Sequence, residues 1–186
     1  MPYIQTIPFD QASGELKSIY DDLMNKRGKL ASVHMIQSLN PKSIIAHMDL
    51  YMNVMFGKSP LRRYQREMLA VIVSNTNRCG YCIDHHAAAL LHFWKDHDKI
   101  SQLCLDYAQL DLSEEDVALC NYAEKLSKPT ATSNYESDID ALRHSGLDDR
   151  TILDATLVIA YFNFVNRIVL GLGVEVENDV GGYNYD

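Results

Sequence analysis

Positive charge is scarce: 17 lysines and arginines stand against 25 aspartates and glutamates, for a formal net charge of −8. A broad nucleic-acid surface needs a basic face to neutralise phosphates, so that partner class is not expected. Arg62, Arg63 and Arg66 remain as a local basic patch. No apolar run reaches the length a membrane span needs. The longest stretch, Ala155 to Val174, is interrupted by Asn163, Asn166 and Arg167. The N-terminus, Met-Pro-Tyr-Ile-Gln, has neither the basic start nor the apolar core of a signal peptide. A cytoplasmic location is therefore expected, where thiols stay reduced. Four cysteines in 186 residues do not make a disulfide framework. Cys79 and Cys82 are close together, whereas Cys104 and Cys120 stand alone. Paired strands and hairpin turns are missing as well.

What is present is helical periodicity. The apolar spacing and the punctuation predict helices over about Gly14 to Lys26, Val33 to Ser38 and Pro41 to Phe56. A fourth is expected from Ser59 as N-cap and Pro60 as first residue to near Asn77, with Leu61, Tyr64, Met68, Val71, Ile72 and Asn75 inward. A fifth starts at Cys79 or Gly80 and reaches about Phe93. Shorter helices follow over Ile100 to Tyr107, from the cap at Ser113 to Ser127, and over Tyr135 to His144, with a loop at Pro129 to Asn134. Asp148 caps a last helix running to about Leu170. The fold class expected is all-α. The chain forms a single domain over 1–186, in which about 1–55 is an N-terminal helical extension without evident chemistry of its own. Residues 175–186 are either a disordered end or an arm that packs on a neighbouring subunit.

The informative segment is Asn77-Arg-Cys79-Gly-Tyr-Cys82-Ile-Asp-His85-His86. It lies where one helix ends and another begins. Free N–H groups and partial positive charge at a helix N-terminus stabilise a thiolate, the nucleophilic form of cysteine. Cys82 and His86 are four apart and share a helix face, so the imidazole can take the thiol proton. Cys79 is within reach of Cys82 for a disulfide after modest bending. The dipole favours Cys79 as the activated thiol, and the histidine spacing favours Cys82. Glu67 lies near the apolar face of the preceding helix. If the two helices pack antiparallel it approaches His86, orients the imidazole and raises its basicity. His85 points about 100° away from His86 around the helix and reads as structural or exposed. His34, His47, His92, His97 and His144 are scattered and receive no role. Met48, Tyr51, Met52 and Met55 form a stripe expected in the core or at a subunit interface. Asn163, Asn166 and Arg167 need polar partners within the last helix's surroundings.

The arrangement Glu67, eleven residues, Cys79-x-x-Cys82, three residues, His86 resembles the alkylhydroperoxidase D (AhpD) core of the carboxymuconolactone decarboxylase superfamily, and within it the branch called peroxidase-related proteins. The likeness extends more softly from about Pro41 to Leu172, with Tyr161 to Arg167 similar to the last core helix of that branch. The resemblance implies an AhpD-like helical fold with the CxxC motif at the N-terminus of a core helix. It further implies a peroxidatic Cys82 that becomes a sulfenic acid, a resolving Cys79 that closes the disulfide, and a Glu67/His86 proton relay. No cofactor is implied. The partners implied are a hydroperoxide substrate, an external dithiol or lipoyl-type reductant, and further copies of the chain in a dimer, trimer or hexamer. One position departs from AhpD proper: the histidine before the second cysteine is Tyr81 here, and a phenol with an ordinary pKa of about 10 is a far weaker base.

Other functions compete with the peroxidase. A thiol-disulfide oxidoreductase would use the same pair without robust peroxide turnover. A metal protein would need further ligands beyond Cys79, Cys82, His86 and His85, and no second ligand pair with suitable spacing exists. Lactone decarboxylation does not call for a vicinal cysteine pair. A non-enzymatic scaffold would leave the thiols unreactive.

Overall fold

Helix boundaries in the computed structural model, which describes residues 1–128, 135–177 and 180, follow the chain's punctuation closely. Among the described residues the regular structure is helical: α1 Gly14–Arg27, α2 Ser32–Met35, α3 Pro41–Phe56, α4 Arg63–Thr76, α5 Gly80–Trp94, α6 His97–Asp106, α7 Glu114–Ser127, α8 Glu136–His144 and α9 Asp149–Leu172. Pro41 occupies the first position of α3, and Gly57 closes it. The Ser113 and Asp148 side chains accept the backbone N–H groups of Asp116 and Thr151, as N-caps do. Helix α9 runs on through Gly171 and stops at Gly173, whose φ of 66° ends it in the left-handed region. The expected loop at 129–134 lies outside the described residues.

The start of α4 corrects the Ser59/Pro60 expectation. Ser59 Oγ accepts only the Leu61 N–H, closing a local turn. The helix begins after Arg62, whose N–H donates to the Gln65 carboxamide oxygen at 2.9 Å. The buried Arg66 guanidinium then donates to the carbonyls of Met55, Gly57 and Leu61, so the connection from α3 is tied by a side chain. The proposed basic patch is thereby dissolved. Arg66 is 4% exposed, and Arg63 turns inward to Glu67.

Helix α4 is buried on every side, from Gln65 to Ser74 without a break. It packs on α5, α7 and α9, and forms the axis of the main core with Met68, Leu69, Ile72 and Phe162. A helix enclosed all round must satisfy its polar residues internally. Gln65 donates to Asp116 at 2.8 Å, and Ser74 accepts from Asn166 at 3.2 Å. A smaller cluster of Leu16, Tyr20, Leu23 and Ile44 joins α1 to α3. Helix α9, at 24 residues, is long and apolar enough to cross a membrane, contrary to the sequence expectation. Here its apolar residues pack against α3, α4 and α7. Of the C-terminal segment, Glu177 contacts α5 and α2 of its own chain, and most of the residues after it lie outside the described ones.

Candidate active site

Only three residues separate α4 from α5, so the two helices turn back on each other and pack side by side. The turn is held at both ends. Asn77 donates to Asn163 at 2.8 Å and to Asn166 at 3.0 Å, and accepts from Arg167 at 3.1 Å. These are the polar residues that interrupt the apolar pattern of α9, and they brace the turn. Arg78 takes a φ of 58°, and the Cys79 N–H returns to the Ser74 carbonyl at 2.8 Å. Cys79 thus becomes the residue that precedes α5, and Cys82 lies in its first turn.

The two sulfurs are 3.1 Å apart and neither is in a disulfide. A hydrogen bond joins them. The hydrogen bond from Cys82 holds the Cys79 thiol below its ordinary pKa despite burial. The same hydrogen bond and burial push Cys82 well up, with Asn166 and Ser74 pulling weakly the other way. Within the pair, ionisation is thus favoured on Cys79 over Cys82. Access is the reverse. Cys82 lines a cavity, while Cys79 is fully enclosed.

Glu67 and His86 meet across the α4–α5 interface, with Glu67 Oε2 2.6 Å from His86 Nδ1. The other carboxylate oxygen accepts from Arg63 at 2.8 Å. Burial would raise the Glu67 pKa, but His86 and Arg63 outweigh it and hold the carboxyl below the usual range. Glu67 is 1% exposed, so it is not the solvated helix carboxylate that its charged neighbourhood in the sequence suggests. With Nδ1 bound to Glu67, His86 keeps Nε2 for other work. Its ring is set edge-on to Phe162 at 4.5 Å, and it lines the same cavity as Cys82. The structure therefore brings all four predicted site residues to one place.

That cavity, of about 70 Å³, has a wall that sequence reasoning missed. Arg27, Val33, His34, His47 and Tyr51 contribute to it, so the first 55 residues supply part of the cavity wall. The Met/Tyr stripe of α3 is split: Tyr51 faces the cavity, Met55 is fully buried and Met52 is exposed. Burial of the imidazoles depresses His34 to about 3 and His47 to about 4. His85 is also more than a surface group. It is 9% exposed and pairs with Glu177 at 2.8 Å, and the other Glu177 oxygen accepts from Tyr81 at 2.9 Å and from the Ser32 N–H. Tyr81, in the position of the AhpD histidine, thus serves as an anchor for the returning tail. The signal for this was the acidic tail itself, but nothing in the sequence links Glu177 to a residue 96 positions earlier. Cys120 is buried in α7 and Cys104 is half-buried. Among the described residues no three His, Cys, Asp or Glu side chains gather as metal ligands.

Comparison with known proteins bears on this geometry. No functionally curated protein matches the chain. The fold is similar over 100% of this chain and 96% of its counterpart to an uncharacterized peroxidase-related protein from Silicibacter sp. TM1040, with 26% identity and a TM-score of 0.84. It is also similar to an alkylhydroperoxidase AhpD core protein, an uncharacterized peroxidase-related protein from Ralstonia eutropha JMP134, with 23% identity, 95% and 93% coverage and a TM-score of 0.83. A third similar fold is that of the debrominase Bmp8, in a cysteine-to-alanine form complexed with 2,3,4-tribromopyrrole, with 17% identity, 93% and 91% coverage and a TM-score of 0.77. Residues 42–125, which contain Glu67, both cysteines and His86, match the carboxymuconolactone decarboxylase family. The chain is thus similar in its helical fold to peroxidase-related proteins of AhpD type, and the stretch that carries Glu67, Cys79, Cys82 and His86 is the part that matches the carboxymuconolactone decarboxylase family.

Proposed function

We propose that the protein is a thiol peroxidase that reduces small organic hydroperoxides through Cys82 and Cys79. The observation that carries this reading is the junction of two pairs on one cavity: sulfurs 3.1 Å apart, and an ionised Glu67 holding His86 at 2.6 Å. In the reaction, His86 Nε2 accepts the Cys82 proton, and Glu67 stabilises the imidazolium. This step answers the raised pKa of Cys82, because a buried thiol in that state needs a base to become a nucleophile. The thiolate attacks one peroxide oxygen, the O–O bond breaks, and an alcohol leaves. Cys82 is then a sulfenic acid. The Cys79 thiolate attacks that sulfur, hydroxide leaves as water with a proton from the relay, and the disulfide forms. A dithiol in a reducing compartment, of lipoyl type, returns the pair to the reduced state by exchange. No cofactor is required by these steps. We further propose that the chain works as a homo-oligomer in the cytoplasm.

A second chemistry is favoured by one observation. Tyr51, Tyr161 and Phe162 line the cavity, an aromatic lining suited to a flat ring, and the debrominase with a similar fold is complexed with a bromopyrrole. The same cysteine pair could remove bromine from such a ring, with the dithiol as reductant. The two readings separate in one assay. The full-length protein is supplied with dihydrolipoamide and either cumene hydroperoxide or tribromopyrrole, and peroxide loss and bromide release are followed. Peroxide loss that disappears in Cys82→Ser and Cys79→Ser supports the peroxidase. Bromide release without peroxide loss replaces it with the dehalogenase. Neither activity in the wild type defeats both.

A further inference from the structure

We propose that Tyr161 is the acid that protonates the leaving oxygen when Cys82 attacks a hydroperoxide, and that His47 and Gln37 position it. The inference rests on the peroxidase reading and assigns a proton donor to the cavity that His86 also lines.

A chain of hydrogen bonds fixes the protons. The Val33 carbonyl can only accept, and Gln37 Nε2 lies 2.8 Å from it. The Gln37 amide is therefore oriented with its NH₂ toward Val33. The same NH₂ is 2.8 Å from His47 Nδ1. Nδ1 must then be an acceptor, which rules out a proton on it. Burial that depresses His47 to about 4 keeps the ring neutral at pH 7. The one ring proton of His47 is thus on Nε2, 2.6 Å from the Tyr161 hydroxyl. Nε2–H donates and the phenol oxygen accepts. Tyr161 is left with its own hydroxyl hydrogen uncommitted, and no other hydrogen bond engages the phenol among the described residues. It is 4% exposed and lines the cavity that Cys82 and His86 line. Burial raises the phenol's pKa, and Tyr51 and charge on Cys82 add to it, so the hydroxyl stays protonated.

A phenol that receives a hydrogen bond from a neutral imidazole and keeps its own proton is prepared to donate. When the Cys82 thiolate takes one oxygen of R–O–O–H, the O–O pair departs with the other fragment as RO⁻. Tyr161 gives this oxygen its proton, and the product is ROH. The phenolate that remains is stabilised by His47 Nε2–H. The proton that His86 removed from Cys82 restores the phenol, so the sum is thiol plus hydroperoxide to sulfenic acid plus alcohol. Two pairs thus divide the work: Glu67/His86 takes the proton of the nucleophile, and Tyr161, held by His47, gives one to the leaving group. This also supplies a proton donor in a chain whose Tyr81 is engaged by Glu177.

Leaving-group dependence tests the assignment. tert-Butyl hydroperoxide expels a strongly basic alkoxide that needs a proton, whereas peracetic acid expels acetate, which does not. Reduced full-length wild type, Tyr161→Phe and His47→Phe are mixed with each oxidant, quenched in milliseconds with a thiol alkylator, and assayed for the Cys79–Cys82 disulfide by mass spectrometry. Tyr161→Phe keeps the ring and removes the donor. It should slow oxidation by tert-butyl hydroperoxide about 100-fold, the lower end of what a general acid contributes, and oxidation by peracetic acid less than about threefold. His47→Phe should show the same selectivity at about tenfold, because it unsettles the phenol without removing it. Equal slowing with both oxidants would mean that Tyr161 only shapes the cavity, and no slowing with either would mean that it does nothing in this step. Both outcomes overturn the proposal. If Tyr161→Phe is unfolded by circular dichroism, the His47→Phe ratio decides. A wild type that forms no disulfide with either oxidant defeats the peroxidase reading itself, and the assignment falls with it.

Discussion

His85 and His86 are adjacent in the chain, both border the cavity, and each is held by a glutamate, at 2.8 and 2.6 Å. The pairs are built differently. Glu67 reaches His86 through the packing of two consecutive helices and is sealed in the core beside Arg63. Glu177 reaches His85 from the far end of the chain, and its oxygens also hold Tyr81 and the Ser32 N–H of α2. The same chemical unit thus does two jobs. In the proposed mechanism, one handles a proton for Cys82. The other fastens the tail and the N-terminal wall over α5. Neighbouring imidazoles are distinguished by what their carboxylates are otherwise bound to, not by their position in the motif.

The difference can be broken most sharply at Glu67. Glu67→Gln removes the charge that orients and stabilises His86, and peroxide-driven oxidation should fall about 100-fold. It also leaves Arg63 without its carboxylate in a buried site, with a stability loss of about 3 kcal/mol by urea denaturation. A rate within a factor of three of wild type would show that the Glu67/His86 pair is only structural.

Acid sharpens the comparison next, because it acts first on the imidazoles of the cavity wall. His34 and His47 are neutral in the folded protein down to about 3 and 4, whereas in the unfolded chain each takes a proton near the ordinary value of 6.5. Between those limits the unfolded state binds more protons, so stability rises with pH there. The contribution is complete above about pH 6.5 and is lost as the pH falls toward 4, at a cost of a few kcal/mol. Glu177, held at about 2 against burial by its bonds to His85 and the Ser32 backbone, loses its contribution only below the usual carboxylate pKa of 4.5. Urea midpoints at pH 7.5 and 5.0 should therefore differ before the carboxylates titrate. His34 Nδ1 has no hydrogen-bond partner among the described residues, so His34→Leu should be nearly neutral at pH 7.5 and should reduce the acid slope. An unchanged slope would place the acid sensitivity elsewhere.

The smallest effect belongs to the tail. Glu177→Gln keeps acceptor capacity but loses the charge, and should reduce stability by about 1 kcal/mol and the oxidation rate less than tenfold. Faster amide exchange at Ser32 would report the loosened clasp. A rate loss equal to that of Glu67→Gln would erase the distinction between the two pairs.

How much of this was legible follows from the range of each interaction. Helix ends marked by local chemistry were readable: Ser113, Asp148, Pro41 and Gly57 act within about one helical turn of themselves. The false start at Ser59 and Pro60 shows a local signal overridden by Gln65, which caps Arg62, and by Arg66, which takes up the loop carbonyls. The Cys82/His86 spacing and the approach of Glu67 were readable because both follow from helical geometry and a short turn. The His47–Tyr161 bond and the Glu177 clasp were not, since they join residues 114 and 92 or more positions apart through packing that no periodicity encodes. Local electrostatics were legible only in part. Ionisation is favoured on Cys79 by its hydrogen bond with Cys82, whereas only the fold shows that Cys82 is the sulfur lining the cavity.

That division between charge and access makes one measurement decisive. Reduced wild type, Cys79→Ser and Cys82→Ser are treated with one equivalent of cumene hydroperoxide in the presence of a sulfenic-acid trap, and every cysteine is mapped by mass spectrometry. The expected result is a rapid Cys79–Cys82 disulfide in wild type, trapped sulfenic acid on Cys82 in Cys79→Ser, and no trapping on Cys79 in Cys82→Ser. Sulfenic acid on Cys79 in the last variant, with Cys82 untouched in the other, would contradict the roles assigned here, and two thiols that stay reduced would contradict the peroxidase chemistry as a whole.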